Sequence, residues 1–271
     1  MRMACVVQVG TGSGGMAVLD LVGRDARINS VLLIEPDIYK PHNVVRHYFA
    51  PDRCGQSKVD LAANWLQERR PDLLIETIKA DLCDPSNAEI IDHMIMRADI
   101  GICAVDNDKA KMHWDWLMRK HGKPWTLGEV LAGGIGGFVH MFVPGGPCYG
   151  CVMSHLQRNV KTNDSPAPDY SAPNHSLPEV SIPASMASIH AIASIHALAT
   201  LALLGDEDAR GWDATTHLIP LRGVPGIFER ALASIRLPFS KLAGCLQCTT
   251  QTSEGDLEAA FAAINAGAIH R

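Results

Sequence analysis

The chain has no basic surplus: 24 Lys and Arg stand against 29 Asp and Glu, a formal net charge of -5 over 271 residues. That argues against the broad cationic surface that neutralises a phosphate backbone, so nucleic acid is not an expected partner. No stretch reaches the roughly 18 to 20 continuous apolar residues that span a bilayer. The opening MRMACVVQVG also lacks the cationic, apolar and small-residue regions of a leader. The expectation is a cytoplasmic protein with no membrane partner. No internal repeat is present, and the eight cysteines do not read as a disulfide framework. Four fall in two CxxC pairs, while Cys5, Cys54, Cys83 and Cys103 are scattered, two of them in apolar runs, a distribution that favours a metal.

What is present points to one α/β domain, because 47% hydrophobic residues in a chain of this length suffice for one substantial core. Residues 4 to 9 form a short apolar run, Gly10 to Gly15 a glycine loop, 16 to 25 a helix and 31 to 34 a second buried strand, which together make a βαβ unit. After a loop over 36 to 56 the alternation continues. Helices are expected at 58 to 68, 86 to 97 and 108 to 120, and strands at 74 to 79, 100 to 105 and 124 to 130. This predicts a Rossmann-like, mainly parallel sheet covered on both faces. Strand-like runs at 138 to 143, 220 to 223 and 234 to 239, with no helix between the last two, predict an antiparallel extension. Residues 158 to 183, rich in Pro, Ser, Asn and Asp, read as a mobile loop. Residues 184 to 204 read as a long buried helix started by Pro183. The expected subdivision of this single domain is a nucleotide-binding core over 4 to 145, a loop, helix and strands over 146 to 250, and a tail helix over 251 to 271.

Gly10-Thr11-Gly12-Ser13-Gly14-Gly15 follows a strand and opens a helix, where glycines let the backbone approach a phosphate or ribose. By itself the segment also reads as mere loop geometry. Glu35 lies 20 residues beyond Gly15 at a strand end, where a carboxylate can accept from ribose hydroxyls or simply face solvent. Cys148, Cys151, Cys245 and Cys248 supply four thiolates in two chelating turns, sufficient for a closed zinc site with no open coordination position. Such a metal stabilises and does not catalyse. His190 and His196, on the apolar helix, have no accompanying nucleophile or metal spacing and read as satisfied core or surface histidines.

The order Glu35-Pro36-Asp37, Asn43-Val44-Val45-Arg46-His47, Gly55-Gln56-Ser57-Lys58 and Val105-Asp106-Asn107, together with the glycine loop, resembles the superfamily of ThiF, MoeB and the ubiquitin-activating enzymes. The resemblance covers roughly residues 4 to 250 and rests on five motifs in sequence. It implies an ATP site built from Gly10, Gly12, Ser13, Gly14, Gly15, Glu35, Asp37 and Asn107, with Asn43, Arg46 and Lys58 around the phosphates. Asp106 is then a magnesium ligand, and the zinc is structural. A guanidinium and an ammonium there can offset charge that develops on the α-phosphate. Read alone, Arg46 is equally a surface ion-pair partner, Lys58 an exposed cation near a helix start and Asp106 a helix N-cap.

Four departures from the family pattern shape the expectation. The segment 158 to 183, where thioester-forming members carry a cysteine, has none, so the reaction is expected to stop at the acyl adenylate or pass to another nucleophile; Cys54 is a weak candidate for more. The helix whose arginine reaches into a partner's site in many homodimeric members is absent before the first strand, with Arg2 too close to that strand to replace it. His47 stands for the usual glutamine, and Ser13 for glycine or alanine. The expected function is ATP- and Mg2+-dependent adenylation of the C-terminal carboxylate of a ubiquitin-like or sulfur-carrier protein, in a homo- or heterodimer. The alternatives are adenylation of a peptide C-terminus, a non-catalytic partner subunit and NAD-dependent oxidoreduction.

Overall fold

Residues Ala4–Val9 (β1), Ile28–Ile34 (β2) and Ile100–Cys103 (β4) are apolar on both sides of the chain, and they form the centre of one sheet buried on both faces. The computed structural model describes residues 3–158, 184–205 and 211–248. Leu74–Ile78 (β3), Trp125–Val130 (β5), Gly136–Phe142 (β6), Thr216–Pro220 (β7) and Ile235–Leu237 (β8) complete eight strands in the order β3-β2-β1-β4-β5-β6-β7-β8. β1 to β5 pair in parallel, and β5 to β8 pair antiparallel. Successive residues feed opposite cores. Val7, Val9, Leu32 and Ile34 pack beneath Ala88–Arg97 (α3), Asp108–Lys120 (α4) and Tyr149–His155 (α5). Val6, Val31 and Leu33 pack beneath Ser13–Gly23 (α1), Lys58–Gln67 (α2) and Met186–Leu203 (α6).

Several boundaries differ from the sequence reading. α1 begins at Ser13, inside the glycine loop, because Gly14 and Gly15 wind into the first turn. β2 begins at Ile28 and not at 31, since its paired backbone carries Asn29 and Ser30 ahead of the apolar run. The loop over 36 to 56 contains a 3-10 turn, Pro41–Arg46. The strand predicted at 220 to 223 is β7, Thr216–Pro220, four residues earlier. α6 starts at Met186, with Ser185 as its N-cap accepting from Ser188 N at 3.1 Å, while Pro183 lies outside the described residues. So do residues 159–183 of the predicted loop and the predicted tail helix. α6 is long and apolar enough to cross a membrane by composition alone, yet half of it is buried and it packs on α1, β5 and β6. Its outer face shows Leu198, 56% exposed.

Candidate functional site

β1 lies between β2 and β4, so the connections on its two sides leave in opposite directions and open a crevice at the carboxyl ends of the strands. Gly10, at φ +90°, permits the close approach of the glycine turn to the end of β4: a Cβ there would sit 2.5 Å from the Ala104 carbonyl oxygen. A Cβ on Gly15 would sit 2.3 Å from Gly10 O. Gly12 is the N-cap of α1 and offers no side-chain acceptor, and the first turn holds no acid. The leading N–H groups therefore have no capping side chain, the arrangement that receives an anion.

The side chains after β2 gather on this turn. One Glu35 oxygen accepts from Thr11 N at 2.7 Å and from Thr11 Oγ1 at 3.2 Å, and the other accepts from Asp37 N at 3.0 Å. Glu35 thus ties the glycine turn to β2. A carboxylate has about four lone-pair positions, so capacity for a further donor remains. Asp37 receives the Lys58 ammonium at 2.7 Å, and Lys58 N donates to Asp37 O at 3.0 Å. Asn43 is buried, and its Oδ1 accepts from Lys40 N at 2.9 Å, closing the 3-10 turn that ends at Arg46.

His47 locks the two segments together. Its Nδ1 accepts from Tyr48 N at 3.0 Å, which leaves Nε2–H to donate to Thr11 O at 3.1 Å, so the ring is neutral with one tautomer fixed. Burial, and then the nearby charges of Lys58 and Arg46, push its pKa down to about 4. Both cations therefore lie near enough to the buried ring for their charge to act on it. Asp106 and Asn107 follow β4 and are exposed, just beyond Ala104, whose carbonyl the glycine turn approaches at Gly10. The N-cap of α4 is Asn107 and not Asp106: Asn107 Oδ1 accepts from Ala110 N at 2.7 Å, which leaves the Asp106 carboxylate outside the cap.

A second charged group at the ends of β5 and β6 escaped sequence reasoning. Glu129 receives Lys111 Nζ at 2.6 Å, Arg158 Nη1 at 2.6 Å and His140 Nε2 at 3.1 Å. Asp108 receives Lys111 at 3.3 Å and the Tyr149 hydroxyl at 3.1 Å. Burial alone would raise the Glu129 carboxyl, but Lys111, His140 and Arg158 hold it well below its usual range. The only signal available beforehand was the i,i+3 spacing of Asp108 and Lys111.

Cys148, Cys151, Cys245 and Cys248 place their sulfurs within 4.8 Å of one another. The closest pairs are 3.4, 3.5 and 3.6 Å apart. Zinc–sulfur bonds of about 2.3 Å in a tetrahedron require sulfurs about 3.8 Å apart, so the cluster has the dimensions of a zinc centre. Cys151 N and Leu242 N each point at a cysteine sulfur at 3.4 Å, as donors that favour thiolates. His196 Nε2 meets Thr126 Oγ1 at 2.9 Å, as expected of a core histidine. His190 differs: its buried Nε2 has no hydrogen-bond partner among the described residues, and its ring stacks on Tyr48.

Fold and site together define a doubly wound α/β protein with a glycine turn at the switch point and a four-cysteine cluster of the dimensions of a zinc centre. The ThiF family profile matches residues 1–224, and the chain belongs to that family, a family of adenylating enzymes. Curated relatives include ubiquitin-like modifier-activating enzyme 5 of Rattus norvegicus, 26% identical over 163 residues, and of Drosophila willistoni, 28% identical over 160 residues. These alignments cover 56% of this chain and 40% and 39% of the relatives, so the chain spans less than half their length. Among solved structures, E. coli MccB with succinimide superposes with a TM-score of 0.66 at 16% identity, covering 91% of this chain and 66% of that one. E. coli MccB with ATP gives 0.63 at 17% identity, covering 90% and 66%. At such identity the superposition establishes the fold.

Proposed function

We propose that the chain binds ATP with Mg2+ in the crevice at the glycine turn and adenylates the C-terminal carboxylate of a ubiquitin-like or sulfur-carrier protein, as part of a homo- or heterodimer. The observation that carries this reading is a helix N-terminus without a capping side chain, beside which neutral His47 is fixed on Thr11 O and feels the charges of Lys58 and Arg46. The triphosphate lies against the N–H groups that open α1, with Asn43, Arg46 and Lys58 along it. The substrate carboxylate attacks the α-phosphorus, the bond to pyrophosphate breaks, and pyrophosphate departs. The nucleophile is already ionised, so the residues supply position and positive charge and no base is required. Asp106, an exposed carboxylate at a parallel strand end, suits Mg2+, which binds through one or two carboxylates plus phosphates and offsets charge on the leaving group.

A second reading, adenylation of a peptide C-terminus, draws support from the MccB fold, which extends over 91% of this chain; one such structure is of the microcin C7 biosynthetic enzyme MccB in complex with N-formylated MccA. ATP–pyrophosphate exchange measured with carrier proteins and with short peptides separates the two. Exchange should require one of these substrates and fall about 10²- to 10³-fold in Arg46→Ala and Asp106→Ala. Intact protein that binds ATP yet exchanges with neither substrate class points to a non-catalytic subunit. Protein that binds NADH and not ATP refutes the nucleotide assignment.

A further inference from the structure

Strand order and pairing sense bring a further segment to the rim on which the crevice opens. β6 begins where β5 ends, β7 ends at Pro220 opposite Gly136, and β8 begins at Ile235 opposite Leu218. The chain that joins β7 to β8, residues 221–234, therefore lies on the same rim of the sheet as the carboxyl ends of β1 and β4. Four strand spacings of about 4.8 Å separate β4 from β8, roughly 19 Å in all. Between them the β5–β6 turn, Val130 to Gly136, carries no charged side chain.

This segment shows large apolar side chains to solvent from an anchored backbone. Ile227 is 63% exposed, Leu232 75% and Ile235 44%. Val224 N donates to Phe228 O and Phe228 N to Val224 O, both at 2.8 Å, which closes a tight turn with Ile227 at its tip. Phe228 is buried, and its ring edge occupies the space that a side chain on Gly136 would need. Leu232 N donates to Pro220 O at 2.7 Å. Gly136 and Pro220 are paired, so both anchors meet at one point of the rim, and the three exposed side chains stand around it. Leu232 has φ +60°, a left-handed conformation that bulky side chains disfavour and that persists where surrounding contacts enforce it, often at ligand clamps. Arg222, Glu229 and Arg230 are exposed beside the group, two cations to one acid, with no ion pair among the described residues.

A surface that is apolar in the middle and cationic at its margin is complementary to a partner face that is apolar with acidic residues at its edge. A short peptide needs only the crevice, whereas a folded carrier must rest its body where its tail can reach the nucleotide. Extended chain advances about 3.3 Å per residue, so about six residues cover the 19 Å. We infer that Ile227, Leu232 and Ile235 form the docking surface for the folded body of the carrier whose C-terminal carboxylate enters the crevice, an inference that rests on the adenylation reading above. The body sits over the β7–β8 segment, and its last residues run past the uncharged β5–β6 turn. The surface selects the carrier by binding alone and leaves the chemistry to the crevice, so it governs the carrier's KM and not that of ATP.

The test is ATP–pyrophosphate exchange by the intact protein with the ubiquitin-like or sulfur-carrier protein that gives the fastest exchange, and with a short peptide of that carrier's C-terminus. Leu232→Gly/Ile227→Ser removes two exposed side chains, and glycine suits φ +60°, so the melting temperature should hold. The carrier's KM is expected to rise about tenfold or more, with the KM of ATP and exchange with the peptide unchanged. Arg222→Glu/Arg230→Glu should raise the carrier's KM as well. A carrier whose tail is shortened by about three residues, about 10 Å of reach, should lose exchange and still compete with the full-length carrier. A carrier KM unmoved by either variant, an equal loss with the peptide, or a peptide that serves as well as the carrier overturns the docking surface and leaves adenylation standing. No exchange with any carrier or peptide removes the adenylation reading and this surface with it. Should Leu232→Gly/Ile227→Ser misfold, the arginine pair and the shortened tail decide.

Discussion

Replacing Glu129 by glutamine should be among the most damaging conservative substitutions in the protein, although it removes no volume. The carboxylate receives three donors, Lys111 and Arg158 at 2.6 Å and His140 at 3.1 Å. A glutamine offers one acceptor oxygen and turns an NH2 toward a cation. Lys111, 5% exposed, would retain only Asp108 at 3.3 Å. Breaking a buried pair by removing one partner costs about 3–5 kcal/mol, because the surviving charge stays desolvated. Arg158 is 38% exposed at its side chain, so Arg158→Ala returns little more than a surface pair, about 1 kcal/mol or less.

Urea unfolding followed by circular dichroism reads both, with the midpoint falling and the slope unchanged. The double variant Glu129→Gln/Lys111→Met removes the stranded ammonium and should recover much of the loss, since apolar replacements of buried pairs approach neutrality. A cost below about 1 kcal/mol for Glu129→Gln, or an equal cost for Arg158→Ala, would falsify the claim that Lys111 depends on this carboxylate.

Acid should destabilise the protein through His47, whose pKa drops from 6.5 to about 4 on folding: the unfolded ring binds the proton first, so stability falls as pH drops from about 6.5 toward 4. Between pH 7 and 5 the loss from this ring is about 2 kcal/mol, and His47→Gln should flatten the urea-midpoint profile by that amount; an unchanged slope would place the sensitivity elsewhere, with His196 the next candidate. Gly10→Ala should cost about 1–3 kcal/mol and weaken nucleotide binding, whereas Gly12→Ala, at φ −67° with open space around it, should be tolerated; equal melting temperatures would remove the argument from the Ala104 approach. Elemental analysis should find one zinc per chain, and chelation should lower the melting temperature; a stoichiometry far below one would leave the four thiols without a metal role.

The parallel half of the sheet was legible because its signals are local. Runs such as residues 4 to 9 and 100 to 103 are apolar on both sides, and turn residues bound them. The two CxxC pairs were legible too, since two cysteines three apart can chelate only with a second such pair, and the fold supplies it 94 residues later. What failed was information held in tertiary contact. Glycines disfavour helix, yet Ser13–Gly15 are helical because the turn needs backbone without Cβ where Gly15 crosses Gly10. Asn29 and Ser30 hid the start of β2, where Asn29 falls at a register shift and Ser30 pairs with Cys5 of β1 and Leu74 of β3. Glu129 gave no sign of its partners, since His140 and Arg158 lie 11 and 29 residues away on other elements.

The two acids after β2 show how a motif can be recognised while its division of labour is hidden. Sequence position suggested ribose recognition for Glu35, and that role is still compatible with its free lone pairs. Its contacts, however, are to Thr11 N, Thr11 Oγ1 and Asp37 N, so its charge first holds the glycine turn at a fixed distance from β2. Asp37, more exposed, takes the Lys58 ammonium at 2.7 Å. Because Thr11 O also receives His47, the segments carrying Glu35 and His47 both meet the glycine turn at this one residue. Thr11→Ala loses only the hydroxyl contact and keeps the backbone ones, whereas Glu35→Ala releases the turn from β2 altogether. The geometry therefore ranks Glu35 above Thr11 in holding the turn, and assigns it a structural duty that precedes any contact with a ligand.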